Sequence, residues 1–167
     1  LSEVDLFKFK DDSGGLDRAL FLAGRANYRQ TLVNLDDGIL QRTWHENNEY
    51  LRLCGVGLTG IATREDLNSY DYKRFKNLAI HGAYSMADEL GTQRPKNVTT
   101  IKPSGTLSKI MDTTEGCHKP MGKYIFNNVN FSINDPMLPK LREAGYHVVL
   151  NPTDEHNAIV TFPVAWE

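Results

Sequence analysis

One stretch decides the fold: Val98-Thr99-Thr100-Ile101-Lys102-Pro103-Ser104-Gly105-Thr106-Leu107-Ser108. Its first residues are β-branched and apolar, as is typical of a strand. The pattern breaks at Pro103-Ser104-Gly105, and residues 106–111 are predicted to form a short helix. Ser104 is a suitable N-cap residue, and Gly105 would let a ligand approach the backbone closely.

This strand, turn and helix predict a phosphate-binding loop. The free N–H groups of a helix's first turn, together with the positive end of its dipole, favour an anion. Between positions 94 and 123 there are six Lys and Arg residues and only two acidic residues, although the whole chain carries a net charge of −2. The loop residues are Pro103, Ser104, Gly105, Thr106 and Leu107, with the hydroxyls of Ser104 and Thr106 as added donors. The alternative is an ordinary strand-to-helix turn with a cap.

Three parts of the chain carry a resemblance to a known family. Residues 99–107, followed by Thr114-Glu115-Gly116-Cys117-His118, resemble ribonucleotide reductase, specifically the C-terminal part of the adenosylcobalamin-dependent (class II) catalytic chain. Residues 134–146 and the initial Leu1-Ser2-Glu3-Val4 fit the same family. The resemblance implies an α/β fold that is part of a ten-stranded α/β barrel, with residues 1–167 as a single segment of it.

The resemblance also implies an activity for the complete protein. Ribonucleotides would be reduced to deoxyribonucleotides, with adenosylcobalamin generating a cysteine thiyl radical that takes the 3′ hydrogen before the 2′ hydroxyl leaves as water. The implied partners are a ribonucleoside di- or triphosphate substrate, the remainder of the reductase chain and a dithiol reductant. This segment would hold the substrate phosphates, and we expect it to be inactive alone.

No catalytic or metal-binding residue is assigned within the segment. By resemblance the radical cysteine, its redox partners and the catalytic acidic residue lie before Leu1 or beyond Glu167. Cys54 and Cys117 therefore receive no catalytic role, and neither do Glu3 and Glu115. Two other functions stay open: a phosphate- or nucleotide-binding module without chemistry, and a structural piece that pairs with a partner chain.

Composition indicates a soluble, cytoplasmic protein. The chain is 40% hydrophobic with a net charge of −2 over 167 residues, which gives no case for nucleic-acid or membrane binding. It has no apolar run of the roughly 20 residues that a membrane span requires, and its N-terminus is unlike a signal peptide. Its two cysteines lack metal-ligand spacing. A cytosolic protein with reduced cysteines is expected. Both ends look cut, so we expect a piece of a longer, split or processed protein.

Periodicity predicts the remaining elements. Helices are predicted at residues 16–33, 39–50, 64–90, 106–111 and 136–145. Strands are predicted at residues 1–9, 51–58, 124–133, 147–150 and 158–164, in addition to the start of the stretch quoted above. Helices that alternate with strands indicate an α/β layer or part of a barrel.

Two further motifs are better explained by structure than by function. Gly55-Val56-Gly57-Leu58-Thr59-Gly60 matches the dinucleotide pattern, but the required second strand with a terminal acidic residue is replaced by the predicted long helix. Glycines that allow close packing at the end of a strand are the favoured interpretation. His45-Glu46-Asn47-Asn48-Glu49 resembles a zinc-binding helix but lacks the second histidine, so a solvated helix face is favoured.

Overall fold

The computed structural model describes residues 1–36, 38–102 and 104–165. These fall into two compact units, Leu1–Lys119 and Pro120–Glu167. The strands are β1 (Ser2–Asp5), β2 (Val56–Thr59), β3 (Tyr124–Ser132), β4 (His147–Leu150) and β5 (Asn157–Ala165). The helices are α1 (Ser13–Gln30), α2 (Arg42–Leu51), α3 (Ser69–Glu89), α4 (Thr106–Met111) and α5 (Met137–Glu143), with one turn of 3-10 helix at Ile61–Thr63.

The first unit is built on parallel pairing. β1 and β2 run parallel, in a register that pairs Ser2 with Val56 and Asp5 with Thr59. The segment at residues 98–100 adds a third parallel line, because the amide of Val56 donates to the carbonyl of Val98 at 2.8 Å. This segment forms a single bridge rather than the predicted full strand. Helices connect the three lines, as parallel pairing requires, and the predicted α/β fold is confirmed.

Helices α1 and α3 pack at unusually short range. An ion pair joins Asp17 to Arg74, and another joins Arg25 to Glu89, so the two helices run in the same direction. A Cβ atom built on Gly24 would lie 2.1 Å from the carbonyl oxygen of Ala79, where no side chain fits. Glycine therefore permits the two backbones to touch.

The core of this unit lies between the helices and the parallel strands. One buried cluster contains Val4, Leu6, Leu16, Leu20 and Phe75. A second cluster contains Tyr28, Cys54, Val56, Ala79, Ala83, Met86, Ala87 and Val98. Small residues on α3 leave room for Tyr28, whose hydroxyl donates to the carbonyl of Gln93 at 2.6 Å. The large buried ring is thereby both packed and hydrogen-bonded.

Several predicted boundaries are corrected. The strand predicted from residue 51 begins only at Val56, because α2 continues through Leu51 and Arg52 then adopts a left-handed conformation with φ 44°. The helix predicted from residue 64 begins at Ser69. There Asn68 accepts the amide of Tyr70 at 2.8 Å, and Asp71 accepts the amide of Asn68 at 3.0 Å. Such a reciprocal cap fixes the start of a helix regardless of the apolar stripe before it.

The second unit is a small antiparallel sheet with one helix. Its strand order is β3-β5-β4, with Tyr124 opposite Ala165 and His147 opposite Thr161. Leu138 of α5 packs with Ala158 and Val160 of β5 to form its core. The alternating pattern that predicted these strands is confirmed to within two residues at each end. A barrel stays a prediction, because the described strands form one sheet of two strands and one of three.

The glycine motif at the end of β2 is explained by packing. A Cβ on Gly55 would lie 2.1 Å from Leu1 Cδ2, and one on Gly60 would lie 2.5 Å from Thr113 Oγ1. Each glycine therefore leaves room for a side chain that packs against it, as the packing interpretation predicts. Among the helices described, none has both the length and the apolar character to cross a membrane.

Candidate functional site

The predicted loop lies where the third parallel segment ends. The chain passes from residues 98–100 through Lys102 and Ser104 into α4. Ligands of parallel α/β sheets are commonly bound beyond the carboxyl ends of the strands, which is the position of this loop. Gly105, Thr106 and Leu107 are exposed, whereas Ser104 is buried. Pro103, the remaining residue of the predicted site, lies outside the described residues.

Ser104 does not cap α4 in the predicted way. The N-cap position is held by Gly105, which has no side chain to cap with. The Ser104 hydroxyl oxygen instead accepts the amide of Ser108 at 3.0 Å, one turn into the helix. The Ser108 hydroxyl donates in return towards the carbonyl oxygens of Ser104 and Gly105, at 2.9 and 2.8 Å. Two serines thus fasten the beginning of α4 to the loop, and the sequence-based cap is displaced by one residue.

A buried carboxylate lies beneath the loop. The hydroxyl of Ser104 donates to Glu3 Oε2 at 2.6 Å, and Lys102 forms an ion pair with Glu3 Oε1. The side chain of Glu3 is only 2% exposed. A serine hydroxyl has a single proton to donate. The proton expected to face a phosphate is therefore engaged by Glu3.

Gly57 explains how Lys102 reaches Glu3. Glu3 in β1 and Gly57 in β2 are register partners. A Cβ on Gly57 would lie 3.2 Å from Lys102 Cβ, so the lysine stem lies directly over the glycine. A larger side chain at this position would interfere with the path of Lys102. The middle glycine of the motif thus serves the loop rather than a dinucleotide.

Sequence reasoning missed Glu3 and Lys102 as parts of the site. The two residues are separated by 99 positions, and neither belongs to a local motif. The one signal present was a carboxylate next to Val4 in β1 (Ser2–Asp5), since a carboxylate that becomes buried requires a partner.

The chain after α4 is also fastened to the sheet. The hydroxyl of Thr59 donates to the carbonyl of Thr114 at 3.0 Å and accepts the amide of Gly116 at 2.9 Å. The amide of Gly60 donates to the same Thr114 carbonyl at 3.0 Å. Glu115 forms a partly exposed ion pair with Lys109 of α4 at 2.7 Å. The short helix is therefore held on both sides while its first turn faces outward.

The outward side of Gly105 is open. A Cβ built on this residue meets none of the described atoms within 4 Å. Its φ of −89° lies outside the left-handed region, so other residues tolerate this angle. The first N–H groups of a helix have no acceptor within the helix and are available to an external anion. The described atoms thus leave space on the side of Gly105 where a Cβ would lie.

The two cysteines lie in contrasting environments. Cys54 is buried in the core, and burial raises the pKa of its thiol to about 11. Cys117 is exposed. Among the described residues, no three His, Cys, Asp or Glu side chains are grouped so as to hold a metal ion. His45 instead accepts the backbone amide of Leu35 at 3.3 Å.

We expect iodoacetamide to modify Cys117 much faster than Cys54 in the folded protein. Thiolate is the reactive form, and a pKa of about 11 keeps Cys54 protonated through neutral and mildly alkaline pH. Peptide mass spectrometry after timed labelling from pH 7 to 9 measures both rates. Denatured protein is the control and should label at similar rates at both positions. Equal rates in the folded protein would contradict the assignment of Cys54 to the core.

The chain was also compared with known proteins. No protein-family model matches the chain. It is 38% identical over 82 residues to the adenosylcobalamin-dependent ribonucleoside-triphosphate reductase of Lacticaseibacillus paracasei, covering 49% of this chain and 11% of that protein. It is 30% identical over 132 residues to a probable reductase of the same kind from Dictyostelium discoideum, covering 72% of this chain and 17% of that protein. The matched residues are homologous to these reductases. The resemblance found in the sequence is thereby confirmed.

A solved structure agrees with the reductase comparison at the level of fold. A crystal structure of a B-12 dependent (class II) ribonucleotide reductase superimposes with a TM-score of 0.82 and 23% identity. The match covers 98% of this chain and 26% of that chain. The chain thus spans about a quarter of that reductase and a sixth or less of the two curated relatives named above.

Proposed function

We propose that this chain is part of a cytoplasmic, adenosylcobalamin-dependent ribonucleotide reductase and supplies its substrate phosphate-binding loop. The observation that carries the proposal is an exposed helix start, Gly105–Leu107, fixed on a buried support in a chain homologous to ribonucleoside-triphosphate reductases. A triphosphate is an anion, and anions are favoured at such a helix start. The similar fold of the class II reductase supports placing this loop in an α/β barrel.

The residues of the loop would have different roles. Gly105, Thr106 and Leu107 would offer backbone amides to the phosphate, and Thr106 would add a hydroxyl. Pro103 lies outside the described residues, and as a proline it has no N–H to donate to a ladder. Ser104 would anchor the loop, since its hydroxyl is bound to Glu3 and its oxygen to the amide of Ser108.

The described residues of the loop do not fit the cofactor. The loop offers amides and hydroxyls, a donor set that holds an anion and leaves nothing to ligate the cobalt of adenosylcobalamin. We therefore assign the cofactor to other parts of the complete reductase. When bound there, it supplies the radical that begins the reduction, and a dithiol would supply the electrons.

Replacing Gly105 with Val tests the proposal in the full-length protein that carries this chain. The branched side chain would occupy the open space that a phosphate requires, so we expect CTP and ATP to bind at least about tenfold more weakly, equivalent to about 1.4 kcal/mol. Isothermal titration calorimetry measures both dissociation constants, and thermal melting checks folding. Adenosylcobalamin binding should be unchanged.

Gly14→Val is the matched control. Gly14 is an exposed glycine in α1 whose nearest neighbouring atom would lie 3.9 Å from an added Cβ, and it is remote in sequence from the loop. This variant should bind both nucleotides as the parent does. A folded Gly105→Val protein with unchanged affinity for both nucleotides would show that the loop is only a turn.

A further inference from the structure

We infer that Glu3 is a positioning residue of the phosphate-binding loop. Its carboxylate accepts hydrogen bonds from Ser104 and Lys102 and thereby holds the loop in the shape that presents the amides of residues 105–107. Ser104 would then act through Glu3 and not on the substrate. The inference rests on the proposed function, and it concerns Glu3, which the resemblance left without a role.

The burial of Glu3 makes these contacts obligatory. Its side chain is 2% exposed, and a buried carboxylate is very unfavourable unless it is paired and hydrogen-bonded. One oxygen pairs with the ammonium of Lys102 and the other accepts the Ser104 hydroxyl. Ser104 belongs to the loop, and Lys102 directly precedes the loop in sequence. Any movement of the loop away from β1 would therefore leave a buried charge unpaired.

The hydroxyl of Ser104 has no remaining proton with which to bind a substrate. Its single proton is directed at Glu3 Oε2 across 2.6 Å, a distance typical of a strong, charge-assisted bond. Its oxygen accepts the amide of Ser108 at 3.0 Å. The residue is also only 2% exposed, which leaves no surface for a phosphate. The effect of removing this hydroxyl must therefore pass through Glu3 and the start of α4.

Lys102 is engaged in the same way. Its ammonium is paired with Glu3, and its stem lies over Gly57, where an added Cβ would be 3.2 Å from Lys102 Cβ. The cation nearest to the loop in sequence is thereby used to neutralise Glu3. If Lys102 served the phosphate directly, removing the charge of Glu3 would release the lysine and strengthen nucleotide binding. If Glu3 positions the loop, the same change weakens binding.

A double-mutant cycle tests the inference in the full-length protein. Glu3→Gln, Ser104→Ala and the double variant are compared with the parent for CTP dissociation constant, KM and kcat. We expect each single variant to bind CTP about tenfold more weakly, the effect of losing one hydrogen bond to a charged group. We expect the double variant to bind no more weakly than the worse single variant, because the two residues form one unit. The loss should appear in KM, with kcat at saturating CTP unchanged.

A control and a second variant keep the result interpretable. Glu46→Gln removes the carboxylate of the exposed ion pair with Arg42 in α2 and should leave CTP binding unchanged. If Glu3→Gln fails to fold, Glu3→Asp replaces it in the cycle. Aspartate keeps the charge for Lys102 but shortens the reach to Ser104, and the same non-additivity is expected.

The outcomes separate this inference from the proposed function. Unchanged or tighter CTP binding by folded Glu3→Gln overturns the inference, as does full additivity with Ser104→Ala. If Gly105→Val weakens binding while the Glu3 variants do not, only the positioning role fails. If Gly105→Val itself binds CTP as tightly as the parent, the proposed phosphate-binding role of the loop is contradicted.

Discussion

Gly82→Ala is expected to destabilise the protein by about 3 kcal/mol, at the upper end of overpacking effects. The added Cβ would lie 2.0 Å from the carbonyl oxygen of Phe21, far inside the 3.0 Å below which real Cβ contacts essentially never occur. The clash is with backbone, so no side-chain rotation relieves it. Helices α1 and α3 would have to move apart, which loosens the buried contacts of Ala79 and Ala83.

Chemical unfolding, followed by circular dichroism in urea, measures this loss. Gly14→Ala in α1 is the control, because its nearest atom would be 3.9 Å away and alanine favours a helix over glycine. We expect that control to be neutral or slightly stabilising. Gly24→Ala should resemble Gly82→Ala, and the double variant should lose less than the sum, since the helices separate only once. An unfolding midpoint equal to that of the parent would contradict the close packing of α1 and α3.

Gly60→Ala is expected to be the second severe change, with a loss of about 3 kcal/mol from backbone strain and overpacking together. Gly60 has φ +70°, a left-handed angle that disfavours alanine. The added Cβ would also lie 2.5 Å from Thr113 Oγ1 and 2.6 Å from Asp5 Oδ1. Both of those side chains are buried, and Asp5 Oδ1 already accepts the amide of Phe7 at 3.0 Å.

Gly91→Ala separates the two causes. Gly91 has φ +62°, but an added Cβ would meet none of the described atoms within 4 Å. Its expected loss is about 1 kcal/mol, the cost of the left-handed angle alone. Thermal melting of the two variants gives the comparison. Equal losses would show that the contacts of Gly60 with Asp5 and Thr113 do not matter.

The sequence predicted those features that depend on neighbours along the chain. The apolar stripe of α3, the alternation in β3 and the four residues of β4 are each visible within a short window. The start of α3 was also encoded locally, in the pair Asn68 and Asp71, but the longer stripe obscured it. The end of α2 at Arg52 had no comparable local signal, because an arginine seldom adopts a left-handed backbone conformation.

The parts of the site that depend on distant residues were not predictable. The loop itself was predicted from Pro103, Ser104 and Gly105 and from a family resemblance, which the comparisons confirm at the level of homology. The contacts of Glu3 that support the loop were not predicted, because Glu3 meets Lys102 and Ser104 only after two parallel strands have been placed between helices. No local pattern states which acidic residue a serine will face across 101 positions.

That separation has a consequence for the order of folding. Contacts between residues so distant in sequence form late, because a long loop must close before they are made. Glu3 is synthesised about a hundred residues before Ser104, and its carboxylate has no loop to bind until residues 102–104 have left the ribosome. The loop can therefore acquire its final shape only after α1, β2 and α3 are in place. Ordering of residues 102–108 is thus a late folding event, and pulse-labelled hydrogen exchange at the amide of Ser108 would report when the first unit is complete.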